Sequence, residues 1–193
     1  IKRAMDIVLT SVGLIFVAPI MLVIAIAIKL DSRGPVFFSQ TRAGVGGRPF
    51  RMHKFRTMIA DADRMKAQLQ HLNESGDPRL FKIKNDPRIT RVGRILRKTS
   101  LDELPQLWNV LRGEMSLVGP RPMMPDQQAL YPGREYYRLR PGLTGLWQIS
   151  DRNHGAFVGR ARFDADYAAR LSFATDLGVL IRTVQIVLRG TGY

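Results

Sequence analysis

The sequence predicts an α-dominated α+β fold, in which an apolar N-terminal helix precedes a basic domain. Three observations favour this class. Residues 7–28 carry no charge, two short strand-like runs flank a glycine-rich turn, and two later segments carry apolar residues at helical spacing. We expect residues 1–30 to form a membrane segment and residues 31–193 to form one further domain.

The uncharged segment 7–28 is long enough for a membrane helix, because about 20 apolar residues cross a bilayer. A buried core helix and a signal peptide are the alternatives. Basic residues on both sides, with no small-residue cleavage site, argue against the signal peptide. Pro19 lies just past the middle and predicts a break in the helix. With the positive-inside tendency, this break favours a re-entrant hairpin over a true span.

The next elements are a small β-hairpin and several helices. Residues 36–42 and 49–56 are strand-like and flank a turn that contains three glycines. Residues 59–73 are polar helix formers and predict an exposed helix. Residues 89–98 predict an amphipathic basic helix suited to lipid headgroups, with a solvated charged face as the alternative. Residues 177–188 predict a helix that either packs on the core or lies on the membrane.

The charge balance restricts the partners. The 193 residues include 30 Lys and Arg against 16 Asp and Glu, which gives a net charge of +14. Such a protein binds polyanions: nucleic acid, an anionic membrane surface or a phosphorylated substrate. The chain has no cysteine, which excludes disulfides, a thiolate zinc site and a cysteine nucleophile.

The densest group of reactive side chains lies in residues 97–106. There, Asp102 and Glu103 follow Arg97 and Lys98, and neighbouring cations favour ionised carboxylates. One carboxylate is then able to attack phosphorus while the other holds Mg²⁺, which prefers oxygen ligands. The alternative is structural, because the spacing of Ser100 and Glu103 matches a capping box at a helix start.

A second candidate site is Arg121, in a segment with three prolines between residues 119 and 125. Proline restricts the backbone, so such a loop presents a side chain at little entropic cost. A guanidinium held in this way suits bidentate recognition of phosphate. A rigid connector without a binding role is the alternative.

Taken in order, these segments resemble the monotopic bacterial phosphoglycosyl transferases, which form the bacterial sugar transferase family. The similar segments run nearly from end to end of the chain: residues 2–6, 32–40, 54–58, 86–94, 99–113, 115–122 and 140–148. No single segment is specific, but their ordered set is.

The resemblance implies transfer of a sugar-1-phosphate from a UDP-sugar to undecaprenyl phosphate, with release of UMP, as the first membrane step of exopolysaccharide or other glycoconjugate synthesis. It implies that Asp102 is the nucleophile of a covalent phosphosugar-aspartyl intermediate and that Glu103 ligates Mg²⁺. Five more residues match family positions near the active site or tied to phosphate and nucleotide-sugar binding: Lys54, Arg97, Arg121, Arg152 and Asp166.

The resemblance also implies a re-entrant helix bent at Pro19 and a compact catalytic domain on the cytoplasmic face of the bacterial inner membrane. Its expected partners are the UDP-sugar, undecaprenyl phosphate and membrane lipid, with a homodimer left open. Galactose or glucose is the expected sugar. A membrane-anchored nucleic-acid-binding protein is disfavoured, because acidic Asp102 and Glu103 add nothing to phosphate-backbone binding. A structural anchor for a polysaccharide assembly complex is the third hypothesis.

Overall fold

A computed structural model of the chain describes residues 1–65, 67–74, 83, 85–150 and 157–188. Helices dominate these ranges and the two sheets have two strands each, which confirms the predicted class. The helices are α1 (Lys2–Asp31), α2 (Arg91–Thr99), α3 (Gln106–Arg112), α4 (Glu135–Arg138), α5 (Leu146–Ser150), α6 (Arg160–Ala169) and α7 (Phe173–Leu188). The strands are β1 (Phe37–Ala43), β2 (Pro49–Phe55), β3 (Ser116–Val118) and β4 (Gly142–Thr144).

The apolar segment forms one helix, α1, which continues through Pro19. The predicted break at this proline is therefore not confirmed. Proline removes only one backbone donor, and long apolar helices tolerate that loss. The helix is long and apolar enough to cross a membrane, and little of it is buried against the rest of the chain. The re-entrant hairpin and the division at residue 30 stay predictions.

Both ends of α1 contact the remainder of the chain. At the N-terminal end, the Nζ atom of Lys2 lies 2.7 Å from Oδ2 of Asp176 in α7. At the C-terminal end, Oδ2 of Asp31 accepts a hydrogen bond of 3.0 Å from the backbone N–H of Val92 in α2. Apolar contacts at this second end involve Ile24, Ile28, Phe55 and Leu96. The exposed middle of the helix thus lies between two anchored ends.

The predicted β-hairpin is confirmed. Strands β1 and β2 pair antiparallel, with Phe38 opposite Lys54 and Arg42 opposite Phe50. The connecting turn contains Gly46 with φ of 65°, a conformation that glycine adopts without strain. The hairpin therefore fixes the position of Lys54 on its second strand.

Residues 59–73 do not form the predicted exposed helix. Their described part consists of turns and one short 3₁₀ helix, Gln70–Leu72. Isolated helices of this length are marginal in water, and stable ones depend on an apolar face packed against other elements. This polar segment lacks such a face, which accounts for the difference.

Helix α2 confirms the predicted basic helix, although it begins at Arg91. The Oγ1 atom of Thr90 caps its N-terminus by accepting a hydrogen bond of 3.0 Å from the N–H of Gly93. Gly93 lies against Thr57, where a Cβ atom would come within 2.0 Å of the carbonyl oxygen. Only glycine permits this approach, which brings α2 and its Arg97 close to the segment after β2.

The second half of the chain packs around β3 and β4, which pair in parallel. Its core includes Val110, Met115, Val118, Tyr167 and Val179. Helix α7 contributes Val179 to this core, but its other face is apolar and exposed. We call this face the α7 stripe; its members are Phe173, Leu177, Ile181 and Val184. Most of the apolar pattern predicted for residues 177–188 therefore lies outside the core.

Candidate active site

Asp102 and Glu103 lie in a short 3₁₀ turn, Leu101–Glu103, between α2 and α3. Ser100 ends α2 in the left-handed conformation, with φ of 58°. Within the described chain, its side chain makes no capping hydrogen bond to the turn, so the capping-box interpretation is wrong. The regular helix α3 starts after Pro105. The two carboxylates are thus held at a junction between helices.

A cavity of about 440 Å³ opens beside this turn. We call it the first cavity. It lies between the β-hairpin, residues 56–63, α2 and the 3₁₀ turn. Five of the seven residues predicted from the sequence line it: Lys54, Arg97, Asp102, Glu103 and Arg121. Residues far apart in the chain therefore meet in one place, as the resemblance implied.

The lysine of the hairpin contacts both carboxylates. The Nζ atom of Lys54 lies 2.8 Å from Oε1 of Glu103 and 3.8 Å from Oδ2 of Asp102. Burial raises the pKa of Asp102, and the charge of Glu103 adds to this rise, whereas Lys54 and Arg97 oppose it. The neighbouring cations predicted from the sequence favour an ionised carboxylate, whereas the burial of Asp102 favours the neutral form.

Arg97 projects from α2 into the same cavity. Its Nε atom donates a hydrogen bond of 2.9 Å to Oγ1 of Thr57, the residue against which Gly93 packs. Burial lowers the pKa of Arg97, while the charge of Asp102 opposes that effect. The close packing of α2 therefore positions a guanidinium beside the carboxylates.

Two further arginines lie near Arg121, and sequence reasoning missed both. We call Arg42, Arg121 and Arg160 the arginine cluster. Burial and then the charge of Arg121 lower the pKa of Arg42 to about 10, and the same two causes lower that of Arg160 to about 10. Like charges held this close repel one another, so the cluster favours an anion between them.

Aromatic rings hold part of the arginine cluster in place. The guanidinium of Arg160 lies 4.4 Å from the centre of the Trp147 ring, and that of Arg121 lies 5.6 Å from it. The Nε atoms of Arg42 and Arg160 are buried and have no hydrogen-bond partner among the described residues. Buried donors of this kind favour a ligand that supplies acceptors.

Comparison with known protein families agrees with the resemblance seen in the sequence. The bacterial sugar transferase family matches residues 1–190 of the chain. The chain belongs to this family. It is therefore an enzyme of the sugar transferase class.

Individual relatives of this bacterial sugar transferase are similar over nearly all of its length. The exopolysaccharide production protein ExoY of Rhizobium meliloti is 42% identical over 99% of the chain and 87% of its own length. The UDP-glucose:undecaprenyl-phosphate glucose-1-phosphate transferase of Caulobacter vibrioides is 44% identical over 97% of the chain and 69% of its own length.

Other relatives are much longer than the chain. The undecaprenyl-phosphate galactose phosphotransferase of Salmonella typhimurium is 41% identical to the chain. The match covers the whole chain and only 41% of the length of this relative. A galactosyl transferase, CpsE, of Streptococcus agalactiae is 42% identical over 43% of its length. The chain thus spans less than half of these two relatives.

One predicted site residue of the sugar transferase does not line the first cavity, and another falls outside the described ranges. Asp166 is exposed on α6 and does not line the first cavity in the part of the chain described here. Arg152 lies outside the described residues. The buried acid of α6 is instead Asp164, whose Oδ2 accepts a hydrogen bond of 2.6 Å from the hydroxyl of Tyr131. Burial raises the pKa of Asp164 to about 6.

Asp102 and Glu103, which we call the dyad, fit a Mg²⁺ ion that is shared with substrate. In the described ranges, no group of three or more His, Asp or Glu side chains is arranged to hold a metal alone. Mg²⁺ is, however, usually bound by one or two carboxylates together with substrate phosphates. The adjacent carboxylates of Asp102 and Glu103 on the first cavity match this donor set.

Proposed function

We propose that this sugar transferase moves a sugar-1-phosphate from a UDP-sugar to undecaprenyl phosphate and releases UMP. One observation carries the proposal: the paired carboxylates Asp102 and Glu103 line the same cavity as Lys54, Arg97 and Arg121. A diphosphate needs cations for binding, and a transfer through an enzyme intermediate needs a nucleophile. The names of the Salmonella and Caulobacter relatives support the same substrates.

The transfer takes place in two displacements. In the first, a carboxylate oxygen of Asp102 attacks the phosphorus that bears the sugar, and the bond to the bridging oxygen breaks. UMP leaves with the electron pair of that bond. In the second, a phosphate oxygen of undecaprenyl phosphate attacks the same phosphorus, and the bond to Asp102 breaks. The carboxylate is restored, and the sugar is linked to the lipid through a diphosphate.

The basic residues neutralise different parts of the negative charge on the substrate phosphates. Lys54 and Arg97 lie beside the dyad, where they offset the repulsion between a carboxylate and the phosphates it attacks. Two members of the arginine cluster, Arg42 and Arg121, also line the first cavity and are suited to the departing nucleotide phosphate. When bound, Mg²⁺ supplies further neutralisation of phosphate charge, and Glu103 would hold it.

We further propose that the enzyme works at the cytoplasmic face of the bacterial inner membrane, with α1 as a re-entrant helix. The exposed apolar middle of α1 and its two anchored ends support this arrangement. Ends that contact one domain lie most simply on one side of the bilayer. The names of relatives that use galactose or glucose support a hexose as the transferred sugar.

Intact-mass analysis after exposure to donor alone tests the nucleophile. We expect the wild-type protein to gain one sugar-phosphate and to release UMP in equal amount. Asp102→Asn removes the nucleophile, so the adduct should be absent and turnover should fall by at least about a thousandfold. Asp61→Asn, an exposed acid in the segment after the hairpin, is the matched control. Full UMP release by Asp102→Asn would end the assignment.

A further inference from the structure

A second cavity, of about 240 Å³, lies beside the first and has no part in the chemistry above. It is enclosed by the 3₁₀ turn, β4, α5 and α7. Most of its lining is aliphatic and includes Leu101, Leu143, Leu180 and Val187. The polar groups of a nucleotide or a sugar would find no hydrogen-bond partners on such a surface. The part of a ligand that fills this cavity is therefore apolar.

The two cavities share a charged wall. Glu103 and Arg121 line both cavities. Among the lining residues that the structure describes, Asp102 belongs to the first cavity and not to the second. The apolar cavity therefore ends at the residues that would surround the reacting phosphorus. A molecule that fits both parts has an apolar body and an anionic head.

A buried amide at the second cavity indicates a ligand independently. Gln148 is 8% exposed, and neither its amide nitrogen nor its oxygen has a hydrogen-bond partner among the described residues. Buried amides are nearly always paired in native proteins. Because Gln148 lines this cavity, an occupant that has a polar head as well as an apolar body is suited to complete its bonding.

The second cavity also reaches the α7 stripe. Val184 lines the cavity and is 58% exposed, and it belongs to the same exposed row as Ile181. An apolar chain that extends beyond the cavity would therefore continue along an apolar helix face. Exposed stripes of this kind are typical of helices that lie in a membrane interface.

We propose that the second cavity binds the first prenyl units of the polyprenyl phosphate acceptor. The acceptor phosphate lies at the wall formed by Glu103 and Arg121, and the remaining chain leaves along the α7 stripe into lipid. This proposal rests on the proposed function and adds a separate acceptor site to it. The donor and the acceptor then occupy different cavities, and the acceptor phosphate reaches the phosphosugar held on Asp102 at the wall that the cavities share.

Two tryptophan variants of α7 test the acceptor site. Val184→Trp fills the second cavity from its edge. Gln185→Trp is the matched control, because it adds the same ring at an exposed position of α7 that is outside the α7 stripe and does not line the cavity within the described chain. The assay measures UMP formed from the UDP-sugar, first as a burst without acceptor and then in steady state with undecaprenyl phosphate.

We expect Val184→Trp to raise the KM for undecaprenyl phosphate at least about tenfold, because it displaces buried prenyl carbons. Its UMP burst should equal that of the wild type, which also shows that the variant is folded. Gln185→Trp should change neither quantity. If Val184→Trp loses the burst, Val187→Phe, which fills the same cavity one turn later, replaces it.

The acceptor site is wrong if a cavity-filling variant with a full burst keeps the wild-type KM for undecaprenyl phosphate. Such a result would indicate a cavity for bulk lipid. It is also wrong if the KM for the UDP-sugar rises in place of the acceptor KM. Failure of the proposed function is distinct, because the wild-type protein would then release no UMP with either measurement.

Discussion

The Nζ atom of Lys54 donates a hydrogen bond of 2.8 Å to Oε1 of Glu103, which lies 49 residues later in the chain. This bond joins the second strand of the hairpin to the turn that carries both carboxylates. Because Nζ also lies 3.8 Å from Asp102, one cation serves both acids. The hairpin therefore contributes a side chain directly to the candidate active site.

Lys54→Met should lower turnover by about ten to a hundredfold, because it removes a cation beside the site where phosphate charge is rearranged. The measurement is steady-state UMP release with saturating donor and acceptor. Arg51→Met is the control, since it removes a positive charge from an exposed position of the same strand. Equal activity of the two variants would show that Lys54 has a structural role only.

Arg160→Met should weaken donor binding without lowering stability. The methionine keeps apolar contact with Trp147, and it removes a charge that is buried beside Arg121. We expect the KM for the UDP-sugar to rise about tenfold and the Tm to stay equal or rise. Arg162→Met, at an exposed position of the same helix, should leave both unchanged. A lower Tm with an unchanged KM would contradict the anion-binding role of the cluster.

Asp164 should make stability fall as the pH rises. Its pKa in the folded protein is about 6, above the ordinary 3.8, so the folded state binds this proton more tightly. The stabilisation is complete below about pH 4 and is lost as the pH rises through about 6. Asp164→Asn cannot titrate, so the Tm difference between wild type and variant should decrease over this interval.

Melting curves at several pH values check this expectation, with Asp166→Asn as the control. Asp166 is two residues away on α6 but exposed. Its variant should keep the pH dependence of the wild type. A wild-type Tm that instead rises between pH 4 and 6, relative to Asp164→Asn, would refute the inferred shift.

Gly93→Ala should destabilise the fold by several kcal/mol, because the added Cβ would meet the Thr57 carbonyl at 2.0 Å. Gly178→Ala is the helical control; a Cβ there meets no atom within 4 Å in the described structure. That change should stabilise α7 by up to about 1 kcal/mol. Chemical denaturation measures both. Comparable stability of the two variants would exclude a tight α2 contact at Thr57.

Sequence patterns anticipated the dyad and its nearest cations better than the remainder of the site. Asp102 and Arg97 are close in the chain and belong to a distinctive segment, so local order was enough. Arg42 and Arg160 come together because the turn of the hairpin and helix α6 both pack against α4, which one sequence does not encode locally. The resemblance suggested Asp166, which is exposed, whereas Asp164 on the same helix is buried. Their exposure differs because residues two apart on a helix lie on different faces.

Local periodicity also had limits in the helices. The stripe of residues 89–98 predicted α2 well, because its apolar side chains pack against α1 and the hairpin. Residues 59–73 contain helix formers but no packed apolar face, and they form turns. Propensity alone therefore failed where tertiary contacts were missing.

The anchoring of α1 has a consequence for the order of synthesis. Lys2 contacts Tyr167 and Asp176, which are 165 and 174 residues away along the chain. A ribosome makes the apolar helix long before these partners, so α1 meets the membrane before its N-terminal anchor exists. Docking of this end therefore follows the synthesis of α7. Nascent chains truncated before residue 176 should hold the helix in lipid without completing the fold around it.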